Sequence, residues 1–424
     1  MNLNMGVLGW LLLILSLYPI VGALFWFWGA LMYQFFGKKE ELDFVELAQA
    51  DQPMITIMIP AHNEEIMIRR TIEYLETEIN YQNYELLIMD DGSTDDTEKI
   101  LSELQGIYPN LRTIKVEDNK GKAHAFNIGM FFAKGEYILS NDADTLPEPH
   151  ALMKYMNYFV HDEDINTAAV TANMDVFNRS TMLGKSQTVE FSSIVGIIKR
   201  SQSAINNSMY AYSGANTMYR KSALLNVGGF RQNRATEDIS IAWDHQINGM
   251  VPKFAPDIKF HMVVPETIGE LFRQRSRWAK GGTEVWMTNM LSFILHPIKN
   301  RYQVTMFVDS TLSVIWSFFY VISTVLYLAM MGYLLATGQN EQFISNLGFS
   351  FVMITSEIIA GSLQLLTALI MDFKGEKLKY WFFAPLYMMF YWIVNPLTIV
   401  VTFIPAVKTI MGLGSGTWRS PSRG

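Results

Sequence analysis

At 424 residues the chain is about twice what one hydrophobic core usually organises, and half of it is hydrophobic while only 17% is charged, below the soluble-domain average of about a quarter. The charge is unevenly spread: none precedes Lys38, none lies between Lys379 and Lys408, and 305–371 carries only Asp309, Glu341 and Glu357. The lack of cysteine excludes a disulfide-stapled secreted module, a thiolate metal site and a cysteine nucleophile, and a net charge of −7 without a basic run argues against a nucleic-acid partner.

Residues 5–36 are apolar for longer than the ~20 residues a membrane helix needs. They lack a basic n-region and a small-residue cleavage site, so 1–37 reads as an uncleaved anchor. Lys38 and Lys39 follow at once, and the positive-inside rule then places the amino terminus outside and the next domain in the cytoplasm. That domain, 38–265, opens with short apolar, β-branched runs at 54–60, 84–89, 111–116 and 136–140, with helical patterns over roughly 64–77, 94–105 and 122–134 between them. Strand, helix, strand in repetition predicts an α/β fold: a doubly wound, mostly parallel sheet inserted between transmembrane helices. Ligands of such sheets sit at the carboxyl ends of the strands, where the acidic residues of this chain collect.

Amphipathic interface helices are expected over 266–304 and a membrane region over 305–411. Spans 305–336 and 349–371 are joined by a loop, 337–348, without Lys or Arg, which should lie outside; the next loop, 372–379, carries three lysines and should lie inside. Pro385, Pro396 and Pro405 interrupt the last apolar stretch, 380–407. It is either one span that exports the tail 412–424 or a re-entrant hairpin that keeps the tail inside.

Pro60-Ala61-His62-Asn63-Glu64 ends the first strand and Asp90-Asp91-Gly92-Ser93 the second; such residues also build turns and cap helices. The fourth strand ends in Asn141-Asp142-Ala143-Asp144. Carboxylates at i and i+2 lie on one side of an extended segment, which suits a hard divalent cation that also takes diphosphate oxygens. Asp162-Glu163-Asp164 has the same spacing in a polar loop and reads as a solvated turn, so position at a strand end is what distinguishes Asp142 and Asp144. Thr236-Glu237-Asp238 precedes a helical run, as a functional acid pair or as a Thr cap with acids complementing the helix dipole. Gln274, Arg277 and Trp278, at i, i+3 and i+4, share one helix face. The neighbouring Arg273, Arg275 and Lys280 fit a helix resting on anionic lipid, which leaves the Gln and Trp unexplained. Lys120-Gly121-Lys122 brings cations near the acidic strand ends, and the seven histidines, without metal-ligand spacing, read as structural or solvated. Neither a Gly-x-Gly-x-x-Gly nor a Walker lysine loop is present.

In order along the chain, Asp91, Asp142-x-Asp144, Thr236-Glu237-Asp238 and Gln274-x-x-Arg277-Trp278 resemble the motifs of processive family 2 membrane glycosyltransferases, the group of the cellulose, chitin and hyaluronan synthases. Arg275 to Val285 and the tail from Thr417 to Pro421 are similar to the bacterial poly-β-1,6-N-acetylglucosamine synthases within that group. The resemblance implies a GT-A catalytic domain in the bacterial inner membrane that uses UDP-N-acetylglucosamine (UDP-GlcNAc) with Mg²⁺ or Mn²⁺ and extends a growing polysaccharide. It implies UDP contacts from Glu64, Asp91 and Lys122, a metal on Asp142 and Asp144, and Asp238 as general base. Glu237, Gln274, Arg277 and Trp278 would serve acceptor and diphosphate, with a polymer channel in the membrane helices where Trp381, Tyr387, Tyr391, Trp392 and Glu357 are candidate lining. A small auxiliary membrane subunit and a deacetylase are implied as pathway partners. Another polymer synthase of the group, or a non-processive transferase acting on a lipid, is the alternative.

Overall fold

β-branched runs flanked by amphipathic helices bury both faces of a parallel sheet, and the computed structural model, which describes residues 7–37, 45–160 and 166–413, has that arrangement at its centre. Lys38, Lys39, the Asp162–Asp164 comparison loop and the tail motif lie outside the described residues. In chain order the elements are α1 (Val7–Met32), β1 (Ile55–Ala61), α2 (Ile68–Glu78), β2 (Tyr84–Asp91), α3 (Thr97–Gln105), β3 (Leu111–Val116), α4 (Lys122–Phe132) and β4 (Tyr137–Asn141). Then come β5 (Leu146–Pro147), α5 (Ala151–Val160), β6 (Thr167–Val176), α6 (Met182–Phe191), α7 (Lys199–Asn206), β7 (Asn216–Arg220), α8 (Lys221–Asn226), α9 (Glu237–Ile247) and β8 (Val251–Met262). The chain closes with α10 (Ile268–Leu295), α11 (Val304–Ala336), α12 (Asn340–Met371) and α13 (Ala384–Ile410).

The sheet order is β3-β2-β1-β4-β7-β6-β8-β5. β1 pairs in parallel with both β2 and β4, so the order in which strands are added switches sides at β1 and opens a crevice at the strands' carboxyl ends. Alternation along β1 explains the two layers: Ile55, Ile57 and Ile59 pack with Ile68, Ile72 and Leu75 of α2, while Met58 packs on the other face with Phe126 and Met130 of α4. All are buried, each apolar side chain contributing about 1.5–3 kcal/mol. Beyond β4 the sheet turns mixed, with β7 antiparallel to β4 and β6, and β6 parallel to β8.

Among the described residues four helices, α1, α11, α12 and α13, are long and apolar enough to cross a membrane. One expectation changes and one open alternative is resolved. The 337–348 loop is only a turn at 337–339, because Gly338, at φ +72°, ends α11 and α12 starts at Asn340 with Glu341 complementing its dipole. The 380–407 stretch is one helix, α13, after a 3₁₀ turn at Leu378–Phe383: Pro385 sits in its first turn, and Pro396 and Pro405 lie inside it. Within packed membrane helices such prolines are tolerated because neighbouring groups take up the freed backbone valences. Glu357, half-buried, bonds to Ser16 on α1, which packs against α12.

One lysine of loop 372–379 is not solvated. Lys377 is buried and pairs with both Asp372 and Asp175 at 2.8 Å, while Asn173 and Ser192 also donate to Asp372. This network fixes the loop between α12 and α13 onto β6 of the sheet domain.

Candidate active site

The carboxyl ends of β1, β2 and β4, the loop before β7, the start of α9 and the middle of α10 meet at one cleft. Lys122, the first residue of α4, is the hub: its Nζ donates to Asp142 Oδ1 at 2.6 Å and to the Gly214 carbonyl at 3.0 Å, and it lies 3.2 Å from Glu237 Oε1. The Gly214 amide donates to Asp238 Oδ2 at 3.1 Å, and the Ile239 amide to Asp238 Oδ1 at 2.9 Å. A Cβ at position 214 would stand 3.0 Å from both Lys122 Nζ and Glu237 Oε1 and 3.5 Å from Asp238 Oδ2, so a residue without a side chain is what lets these charges meet. Lys120, Lys122, Arg234 and Arg277 line the adjoining opening, with Glu237 as its acidic residue.

Electrostatics follow from this crowding. Burial and the neighbouring Glu237 carboxylate hold Asp238 above the ordinary carboxylate range, against the pull of Lys122 and Arg277. Burial opposes the charge on Lys122, but the Asp142 and Glu237 carboxylates outweigh it and push the ammonium above its usual value. Asp91, buried at the end of β2, accepts from the Lys120 and Gly121 amides at 3.3 and 2.8 Å, yet burial wins and raises it. A carboxylate with a raised pKa loses its charge as pH falls through that value, so the general base role expected of Asp238 implies an acid limb above the ordinary 3.8. Glu237→Gln removes the largest raising charge and should move the limb to lower pH. Rate profiles of the two proteins check this, and coincident limbs would contradict it.

Asp144 accepts from Thr145 Oγ1 at 3.3 Å beside Asp142. Glu64 is buried in the turn after β1, its amide donating to Thr97 Oγ1. His62 Nδ1 lies 2.9 Å from the Asp91 carbonyl, and His245, buried against Tyr212 and pushed down to about 4 by burial, is structural. No group of three or more His, Asp or Glu side chains forms a closed metal cage among the described residues. Two hard carboxylates at the end of β4 fit a Mg²⁺- or Mn²⁺-type ion whose remaining positions go to ligand oxygens and water.

Thr236 sits at the N-cap position of α9, but its side chain makes no capping bond and its buried hydroxyl has no hydrogen-bond partner among the described residues. The capping reading of Thr236 therefore fails. Its side chain abuts α10 at Gly281, and the Tyr210 hydroxyl abuts Gly282. This pair of glycines, together with Gly214, was not singled out from the sequence; two glycines inside a helical pattern are the signal that could have found them, since they mark close backbone approach. Glu284, fully buried on α10, accepts from the Ala235 amide at 2.9 Å and ties the same junction. Arg277 reaches the cleft, whereas Gln274 accepts from Arg275 at 2.8 Å and Trp278 carries Arg275 over its ring. Arg275 itself is nearly buried and paired with Glu190, so the lipid reading does not hold for it.

Residues 56–228 match the profile of glycosyl transferase family 2. The poly-β-1,6-N-acetyl-D-glucosamine synthase of Staphylococcus epidermidis is 33% identical over 416 residues, 97% of this chain and 98% of that one. The chain belongs to glycosyl transferase family 2. The synthase of the same name from Staphylococcus aureus (strain COL) is 32% identical over 419 residues, again 97% and 98% of the two chains. A mannosyltransferase from Pyrobaculum calidifontis, solved with GDP-mannose and Mn²⁺, superposes with a TM-score of 0.60 at 18% identity, covering 87% of this glycosyltransferase and 100% of that chain. The fold is of GT-A type.

Proposed function

We propose that this glycosyltransferase polymerises N-acetylglucosamine from UDP-GlcNAc into a β-1,6-linked polysaccharide and passes the chain through its own membrane helices. The observation that carries the reading is the four-cation opening of Lys120, Lys122, Arg234 and Arg277 directly beside a carboxylate held by a backbone amide. The cations suit a diphosphate and the carboxylate suits an acceptor hydroxyl. The full-length similarity to two staphylococcal synthases supports the sugar and the linkage. In this reading Glu64, Asp91 and Lys122 contact the UDP, Arg277 meets the diphosphate, Gln274 and Trp278 meet the acceptor sugar, and Glu237 keeps Lys122 charged and in place. The acceptor oxygen bonds to the anomeric carbon, the bond to UDP breaks, and the proton passes to Asp238. Attack opposite the leaving group converts an α-linked donor into a β product. Asp142 and Asp144 would hold Mg²⁺ or Mn²⁺, which would neutralise charge on the departing diphosphate.

The membrane part agrees with this assignment. Tyr387 and Tyr391 of α13 line a narrow cavity under α10, whereas Trp392 packs against the cluster around Leu365 and Leu369, and Trp381 is exposed. The sheet domain would face the cytoplasm of a bacterial inner membrane, with a small auxiliary subunit and a deacetylase acting on the same product. The nucleoside diphosphate released by proteoliposomes, UDP from UDP-GlcNAc or UDP-glucose and GDP from GDP-mannose, tests the donor: UDP-GlcNAc should be used at least tenfold faster, as contacts to a substrate's polar groups permit. Preference for another donor would overturn the reading. Asp144→Ala should lose the Mn²⁺-dependent part of UDP binding by calorimetric titration; equal UDP affinity with and without Mn²⁺ in the unmutated protein would contradict the metal site.

A further inference from the structure

One guanidinium organises most of the α10 face. Arg275 Nη1 donates to Gln274 Oε1 at 2.8 Å, its Nη2 donates to Glu190 Oε2 at 2.8 Å, and its Cζ stands 4.1 Å from the centre of the Trp278 ring. The side chains of Arg275 and Glu190 are 11% and 6% exposed, so the pair is withdrawn from water. Glu190 belongs to α6, and the pair forms part of the wall between α10 and the cavity that Tyr387 and Tyr391 line from α13.

We propose that Arg275, anchored by Glu190, is a positioning residue that sets the Gln274 and Trp278 side chains for the terminal sugar of the acceptor; this rests on the acceptor role given above to that helix face. A buried ion pair adds little net stability over an apolar pair of similar size, so stability alone does not account for it. What it supplies is geometry. The planar guanidinium stacks on one face of the indole while its two ends reach a carboxylate on another helix and an amide on its own, a combination a lysine ammonium cannot make. With one ring face covered, a sugar can stack only on the other, and the side on which the acceptor lies is thereby fixed.

The test uses the full-length protein in proteoliposomes with radiolabelled UDP-GlcNAc, comparing polymer formed with UDP released, and measuring the KM of an added N-acetylglucosamine oligosaccharide. Two variants are needed: Arg275→Lys, which keeps the charge, and Arg275→Met with Glu190→Leu, which replaces the pair by apolar groups and leaves no buried charge unpaired. Misplacement of the acceptor should lower the polymer-to-UDP ratio about tenfold or more in both and raise the acceptor KM, with the donor KM moving much less. Wild-type ratio and acceptor KM in the apolar pair would overturn the proposal, as would an equal fall in polymer and UDP release in Arg275→Lys. If the unmutated protein releases UDP but makes no polymer, the functional reading fails and the platform falls with it.

Discussion

Asp238→Asn is expected to lower sugar transfer by roughly 10²–10⁴, the usual consequence of losing general base catalysis, while UDP affinity stays within a few-fold. The asparagine keeps the size of the side chain and its one carbonyl oxygen can accept from either the Gly214 or the Ile239 amide, which in the native protein bond to separate carboxylate oxygens. What disappears is the basic oxygen. Two effects then separate. Donor binding depends on the cations of the opening and should persist, whereas the acceptor proton has nowhere to go. Measuring UDP binding by calorimetry and transfer by radiolabel incorporation in one preparation tests both halves. Turnover within about tenfold of the unmutated enzyme would remove Asp238 from the role of base, because that is less than a general base supplies.

Gly281→Ala is expected to cost about 10² in polymer synthesis, the effect of a shift of ~1 Å at a reacting centre. The added methyl would stand 2.7 Å from Thr236 Cβ and Cγ2, far inside the 3.5–4.0 Å of ordinary carbon contact. Thr236 is β-branched and buried, so α10 must move away from α9, carrying Arg277 and Trp278 from Asp238. Helix propensity points the other way, since Ala in a helix interior is favoured over Gly by about 1 kcal/mol. A loss of activity with no loss of expression or insertion therefore reports the junction itself. Removing the opposing atoms with Thr236→Gly in the same chain should recover part of the loss. Undiminished synthesis in Gly281→Ala would show that this approach of the two helices does not set the site.

The parts legible in the sequence were those ruled by local chemistry. The run expected at 54–60 is β1 at Ile55–Ala61, and the Asp142-x-Asp144 pair falls just past β4, because β-branched strands and the polar turns after them are set by neighbours in the chain. β6, β7 and β8 were not read. β6 carries Thr171, Asn173 and Asp175, polar residues that argue against a buried strand until the partners of two of them, Asp372 for Asn173 and Lys377 for Asp175, arrive about 200 residues later. Lipid is the simplest partner the sequence offers Arg275 for the same reason, since Glu190 lies 85 residues away. α13 was undecided because prolines break helices in water but not inside a packed membrane bundle. Thr236 has the composition of a cap, and only the closeness of Gly281 reveals that its side chain is spent on packing instead.

The central claim is that one chain both transfers N-acetylglucosamine and retains the product for the next transfer. It is tested most directly by the size and linkage of what the purified protein makes from UDP-GlcNAc alone in proteoliposomes, at donor concentrations too low to extend every chain. Long β-1,6-linked polymer alongside unextended enzyme is the predicted result. A ladder of single additions to lipid, or a polymer with another sugar or linkage, would contradict it.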